Sequence, residues 1–388
     1  MNPAITIDSF GPLEVQRPAT VAELCSLVHT VRGERRGLYP VGGGTALDYG
    51  CPPLKPGIAC DLTALHSIID YPARDMTITV QAGITIAALQ AELAKEGQWL
   101  PVDIPAPERS TLGGAVAVNA CGPRRYGYGT LRDYVIGISF VTDDGVEVKA
   151  GGRVVKNVAG YDLMKLHIGA LGTLGIVTQL TLKVKPKPEA TAAVIFGCAA
   201  TALAAILDAL AATTTRPVAV EVLNPLAAQT IGLTTHAHDW TIVVGFEEKA
   251  AAVQWQVATL VEELRQLAIR EVLTQPDTAI LDRITAWQQP LDSQRLAKLS
   301  LRPSELAGWL THNAPRGLLH AHGLNGIVWL HDPEPLPQEA ILCRCPPTMK
   351  RERFVWGKLP ASWDFMKHLK QTLDPDNVFN PGRLFGTL

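Results

Sequence analysis

Residues 111–129 read TLGGAVAVNACGPRRYGYG. The stretch mixes glycine, alanine and small polar residues and reads as neither helix nor strand, a composition suited to a place where something must approach the backbone closely. Glycine lacks the Cβ that would hold a ligand away, and it tolerates positive φ. Gly113, Gly114, Gly122, Gly127 and Gly129 therefore predict a chain laid against a flat or phosphorylated cofactor. Upstream, Pro40-Val41-Gly42-Gly43-Gly44-Thr45-Ala46-Leu47-Asp48 follows the apolar run Gly37-Leu38-Tyr39. Successive amide N–H groups on such a turn form an anion-binding nest suited to a pyrophosphate. A dinucleotide fingerprint of the Rossmann type would need GxGxxG running into a helix. Here Gly50, Pro52 and Pro53 break any helix after the glycines, which argues against an NAD site.

Four segments carry a family resemblance: PVGGGTALDYG, TLGGAVAVNACGPRRYGYG, GGRVVKNVAGYDLMKLHIGALGTLGIVT and DPDNVFNPGRLF. In order and spacing the chain resembles FAD-binding oxidases of the vanillyl-alcohol oxidase (PCMH) type, and within them the E-type subunits of glycolate oxidase. The resemblance implies an α+β fold. A two-subdomain FAD-binding domain would span residues 1–185 and an antiparallel-sheet α+β cap 186–345, with a C-terminal segment, 346–388, returning to the flavin. It implies that FAD lies against Pro40, Val41, Gly42, Gly43, Gly44, Thr45, Ala46, Leu47, Pro101, Thr111, Leu112, Gly113, Gly114, Ala117, Asn119, Gly122 and Gly127, with its adenine end at Gly175, Ile176 and Val177. Many relatives hold the flavin covalently through His or Cys. The loop here has Thr45 and no His, so noncovalent FAD is expected, with Cys121 read as a small buried thiol. Where D-type relatives carry a Glu before Gly172, this chain has Leu171, which points to the E type.

The rest of the chain supports a globular, two-domain reading. Its 388 residues exceed the usual size of one core, and 47% hydrophobic against 19% charged residues is a folded composition. A net charge of −2 offers no basic field for nucleic acid. The N-terminal MNPAITIDSF does not read as a signal peptide, and the alanine-rich run 192–207 is too short to span a bilayer and reads as a buried strand followed by a helix. Seven cysteines at irregular spacings, with no CxxC, fit a reducing cytoplasm and no iron–sulfur or zinc site. Thr20 and Thr85 read as helix N-caps, and Asp143-Asp144-Gly145 as a hairpin turn. Beyond the boundary KVKPKP, alternating strand and helix patterns predict an antiparallel sheet with helices on one face.

A 2-hydroxy acid oxidase needs a cation for the substrate carboxylate and a base near the hydroxyl. Lys298, Arg302, His320, His322 and Arg383 are the candidates, of which Lys298, His322 and Arg383 are favoured as catalytic. Metal-dependent relatives carry His-x-Gly-Asp-Gly-Asn-x-His. The segment His320-Ala321-His322-Gly323-Leu324-Asn325-Gly326-Ile327 lacks the Asp and the final His, so no metal site is expected. The resemblance implies a glycolate (2-hydroxy acid) dehydrogenase subunit with two partners, a D-like flavoprotein subunit and an iron–sulfur F-like subunit. Two alternatives stand beside it: a self-sufficient flavin oxidase of another alcohol or lactone, and a non-catalytic FAD-carrying subunit.

Overall fold

The computed structural model describes residues 4–152, 161–233, 239–289 and 293–387. Part of the GGRVVKNVAGYDL motif, residues 153–160, lies outside them. The helix Val21–Gly33 begins where Thr20 accepts a hydrogen bond from the Glu23 amide, and it buries Leu24, Val28 and Val31 on one stripe. That stripe packs on a four-stranded sheet in which the edge strand Gly37–Val41 runs parallel to its neighbour Gly57–Asp61. The C-terminal tail joins the outer edge of this sheet: the Leu38 amide donates to Val378 O at 2.7 Å, and the Asn380 amide donates to Leu38 O at 2.9 Å. Phe379 is fully buried in the same core, so both ends of the sequence complete one structure.

A five-stranded antiparallel sheet follows, in the order Ile68–Asp70, Thr77–Gln81, Ile176–Lys183, Val135–Val141, Glu147–Gly151. The helix Ile86–Ala94, capped by Thr85, covers it, and Gly97 then turns the chain at φ +63°. Residues 111–129 depart from the sequence expectation. Thr111 caps a true helix, Leu112–Val118, which ends at Asn119 in the left-handed conformation. Its glycines are tolerated because Leu112, Ala115 and Val116 are buried and tertiary packing outweighs weak helix propensity.

The remaining chain forms an eight-stranded antiparallel sheet with outer strands Ile269–Gln275 and Ile341–Arg344. Its strand Ala190–Cys198 and the helix Leu203–Ala212 match the predicted strand-then-helix reading of residues 192–207. Helices cover both faces, not one. Val194 and Phe196 pack with Leu203–Ala212, Ala250–Leu264 and Pro303–Asn313, whereas Ala193 and Ile195 pack with Pro225–Thr230 and Ala279–Ala286. The strands are apolar on both faces, so the period-two alternation that marks a one-sided sheet is missing.

The two large sheets meet at Arg124. Its guanidinium, almost wholly buried, donates to Asp103 at 2.6 Å, Glu247 at 2.8 Å and Asp282 at 2.7 Å. A cation that bridges carboxylates from both halves fixes the second half's position over the first.

Candidate active site

The strand Gly37–Val41 delivers the glycine loop into a cleft between the sheets. The backbone amides of residues 42–47 donate to no described residue. A run of unsatisfied N–H groups on one turn is the chemistry that receives a pyrophosphate. Gly44 holds φ +69°, and a Cβ there would meet only Leu47 at 3.8 Å. A Cβ on Gly114 would meet only the Thr111 hydroxyl, at 3.2 Å. Both positions line the cleft. Gly42, Gly43 and Gly113 are small for another reason, because a Cβ would fall 2.0 Å from Thr111 Oγ1, 1.7 Å from Arg109 O and 2.9 Å from Ala82 Cβ. Those contacts press the segments into one cradle. The Thr45 and Ser110 hydroxyls, 3.1 Å apart, and the Gln289 side chain on Thr45 O tie its rims.

The cleft, with the solvent at its mouth included, holds about 1170 Å³ of space between atoms. Pro40, Val41, Gly42, Gly43, Gly44, Thr45, Ala46, Leu47, Thr111, Gly113, Gly114, Ala117, Gly175, Ile176 and Val177 line it, together with Arg383. Leu112 instead lies in the core beneath the cleft and Pro101 is buried behind it, while Asn119 lines the adjoining cavity. Gly122 and Gly127 lie where the two halves meet: a Cβ would lie 2.6 Å from Asp103 Cβ and 3.0 Å from Thr285 Oγ1 at the first, and 2.6 Å from Val218 Cα at the second. Their smallness serves the junction around Arg124. Ile104 and Pro105, in the run 100–105 that the family resemblance lays along FAD, are in the lining, and sequence reading missed Ser110, His167, Gly172, Gln289 and Asn380 there. Gly172 and Asn380 sit inside quoted motifs and could have been found there; Gln289 and His167 carry no local signal.

A second cavity of about 650 Å³ adjoins the first and shares Thr45, Ala46, Tyr49, Pro105, Val118, Ala120 and Gln289 with it. Lys298 enters it from the strand Leu296–Ser300. Its Nζ lies 5.6 Å from the Trp329 ring centroid and has no carboxylate or hydrogen-bond partner among the described residues. Burial works against the ammonium, but the anionic tendencies of Tyr49, Cys343 and Cys121 prevail and its pKa is raised. A half-buried, charged amine without a carboxylate partner among the described residues is a receptor for an anion.

The other candidates go elsewhere. His320 and His322 are fully buried and line neither cavity. They stand behind Trp329, whose Nε1 donates to His322 Nε2 at 3.4 Å, while His322 Nδ1 lies 2.7 Å from Glu221 Oε1. Burial pushes the His320 imidazole down to about 4 and Glu221 up to about 7. Arg302 is exposed and pairs with Glu305 at 3.7 Å. Arg383 is buried, and its guanidinium binds Asp8 Oδ2 and Cys51 O at 2.6 Å each, Tyr49 O at 2.7 Å and Leu47 O. It therefore holds the loop that follows the glycines. Among the described residues no group of three or more His, Cys, Asp and Glu could hold a metal ion, and no helix is long and apolar enough to cross a membrane.

Open amides for a pyrophosphate, glycines lining the cleft and its largely apolar walls fit FAD. Residues 12–151 match the FAD binding domain, and residues 348–384 match the C-terminal domain of FAD linked oxidases. These two matches, together under half of the chain, indicate FAD as its cofactor. Among curated proteins it is similar to glycolate oxidase subunit GlcD of Bacillus subtilis, 35% identical over 46% of this chain and 38% of that protein. It is similar to glycolate oxidase subunit GlcE of Escherichia coli, 39% identical over 35% of this chain and 39% of that protein. D-lactate dehydrogenase of Anaerostipes hadrus is 34% identical over 50% of this chain and 39% of that protein. The chain thus spans about two-fifths of the length of these relatives. A solved alkyldihydroxyacetonephosphate synthase shares the fold, with a TM-score of 0.68 over 95% of this chain and 75% of that chain at 18% identity.

Proposed function

We propose that the chain is the E-like subunit of a 2-hydroxy acid dehydrogenase. It would oxidise a small 2-hydroxy acid such as glycolate at noncovalently held FAD and pass the electrons to a D-like flavoprotein and an iron–sulfur F-like subunit. The observation that carries the substrate class is the unpaired Lys298 ammonium in a cavity continuous with the flavin cradle. The names of the relatives support the chemistry, and the lack of a CxxC supports an external electron carrier. We take residues 1–185 as the flavin domain, 186–345 as the cap and 346–388 as the returning segment.

FAD, when bound, supplies a ring that accepts two electrons as hydride. The protein supplies the rest. Lys298 binds the substrate carboxylate and so orients C2 toward the cradle. Trp329 and Leu296 wall the cavity and limit water. Asp48 lines the same space, held by Arg344 Nε at 3.3 Å, and offers a carboxylate for the hydroxyl proton as C2 loses hydride. A second reading, a subunit that carries FAD while its partner oxidises substrate, is favoured by the withdrawal of His320 and His322 behind Trp329. Anaerobic mixing of purified, FAD-loaded protein with glycolate or D-lactate separates the two. Substrate-dependent bleaching of the yellow absorbance of this chain supports oxidation here, whereas turnover by the assembled complex while this chain alone stays yellow, even after FAD loading, assigns the reaction to the partner.

A further inference from the structure

Tyr49 occupies a position that the glycine motifs do not explain. It lies one turn beyond the cradle loop, and its backbone is fixed at both ends: its amide donates to Ala46 O at 3.1 Å, and its carbonyl accepts from Arg383 at 2.7 Å. Its ring is held edge-on against Trp356, with centroids 5.4 Å apart and planes at 89°. The side chain lines both the flavin cleft and the Lys298 cavity, so it stands at their junction. Yet its hydroxyl forms no hydrogen bond with any described residue. Tyr49 is half-buried, so its unpartnered hydroxyl faces the cavity, where it is free to meet a ligand. Burial raises the phenol to about 12, against the opposing pull of Lys298, so it stays neutral and protonated near pH 7. A neutral phenol is a poor base but both a donor and an acceptor of hydrogen bonds.

Two unpaired polar groups therefore enter one cavity from opposite halves of the protein: a phenol from the flavin loop and an ammonium from the eight-stranded sheet. We propose that Tyr49 and Lys298 form a two-point clamp for an α-hydroxycarboxylate, Lys298 binding the carboxylate and Tyr49 the 2-hydroxyl, so that Tyr49 selects hydroxy acids over simple carboxylic acids. The proposal rests on the 2-hydroxy acid reading above. A site built to hydrogen-bond a substrate hydroxyl discriminates against the analogue lacking it, because its own polar group is then left unmet. The clamp also spans the two halves, so substrate occupies the cavity productively only when the eight-stranded sheet is seated over the cradle.

The test compares glycolate and D-lactate with acetate on FAD-loaded wild type, Tyr49→Phe and Lys298→Met. Dissociation constants are read anaerobically, from the concentration dependence of flavin reduction for the hydroxy acids and from competition and calorimetry for acetate. Tyr49→Phe keeps the ring against Trp356 and removes only the hydroxyl. It should retain FAD and its melting temperature, bind the hydroxy acids about tenfold more weakly and leave acetate unchanged. Lys298→Met should weaken hydroxy acids and acetate alike. Equal binding by wild type and Tyr49→Phe, or an equal loss for acetate and the hydroxy acids, would overturn the role of Tyr49 while leaving the 2-hydroxy acid reading intact. Wild type that binds neither hydroxy acid, by either measurement, would overturn that reading and the clamp with it. Should Tyr49→Phe lose FAD, the same binding ratio measured in Tyr49→Met decides, since a thioether that cannot donate to the hydroxyl must also lose the preference.

Discussion

Arg383 Nη1 lies 2.6 Å from Asp8 Oδ2, joining the last residues of the described chain to the first. Lys350 Nζ reaches the other oxygen of Asp8 at 2.6 Å and also binds Gly50 O at 3.0 Å. All three side chains are buried, and the carbonyls they hold belong to residues 47–51, the loop that continues the cofactor nest. The relationship makes the C-terminal NPGR segment a clasp on the cradle.

Arg383→Ala is therefore expected to lose stability and FAD together. Breaking a buried ion pair by removing one partner costs about 3–5 kcal/mol, since it strands the other charge. Asp8→Ala should behave alike. Denaturant titration and the flavin-to-protein absorbance ratio check this; a variant of full stability and full FAD content that is merely slow would instead make Arg383 a substrate ligand.

The glycines divide into two kinds. Gly114→Val should leave a folded protein with little bound FAD, because its side chain enters the open cleft. Gly43→Val should impair folding as well, since its first carbon would overlap the Arg109 carbonyl. Circular dichroism beside flavin content separates the two effects, and equal, full FAD content in both variants would remove these loops from the cofactor site.

Lys298→Ala should slow turnover by about a hundredfold or more with FAD retained, because one charge-assisted contact to a carboxylate contributes a few kcal/mol and each 1.4 kcal/mol is about tenfold in rate. The measurement belongs in the assembled complex. An unchanged rate there would favour the FAD-carrying reading.

Acid or heat should release FAD intact into the supernatant, as no covalent bond is expected from the Thr45 loop. Flavin that remains with the precipitated protein would direct attention to Cys121, which lines the second cavity, or His167, which lines the first.

Stability should rise between about pH 4.5 and 6.5. Burial pushes His167, His320 and His331 each down to about 4, so the unfolded chain takes up their protons first. Their contribution is complete above the ordinary value of 6.5 and is lost as pH falls toward 4. Glu221, pushed up to about 7 by burial, acts in the opposite sense: its contribution is present below the ordinary 4.5 and lost as pH rises through about 7. With His322, which burial pushes down to about 3, four groups outweigh one, so melting temperature should climb across that window. His331→Gln should flatten the slope.

Much of this protein was determined by its sequence. The cradle loops, the Thr20 and Thr85 caps, the hairpin at residues 143–145 and the returning tail are set by local chemistry: missing Cβ atoms, hydroxyl caps, turn residues and proline breaks act over a few residues and are written there. Tertiary structure alone decided the rest. That Gly122 and Gly127 serve the junction at Arg124, that His320 and His322 retreat behind Trp329, that Arg383 clasps a loop, and that Tyr49 meets Lys298 across two halves of the molecule all depend on contacts between residues far apart in the chain. Such contacts arise from packing and from the pairing of buried polar groups, and neither leaves a periodic trace in the sequence around any one partner.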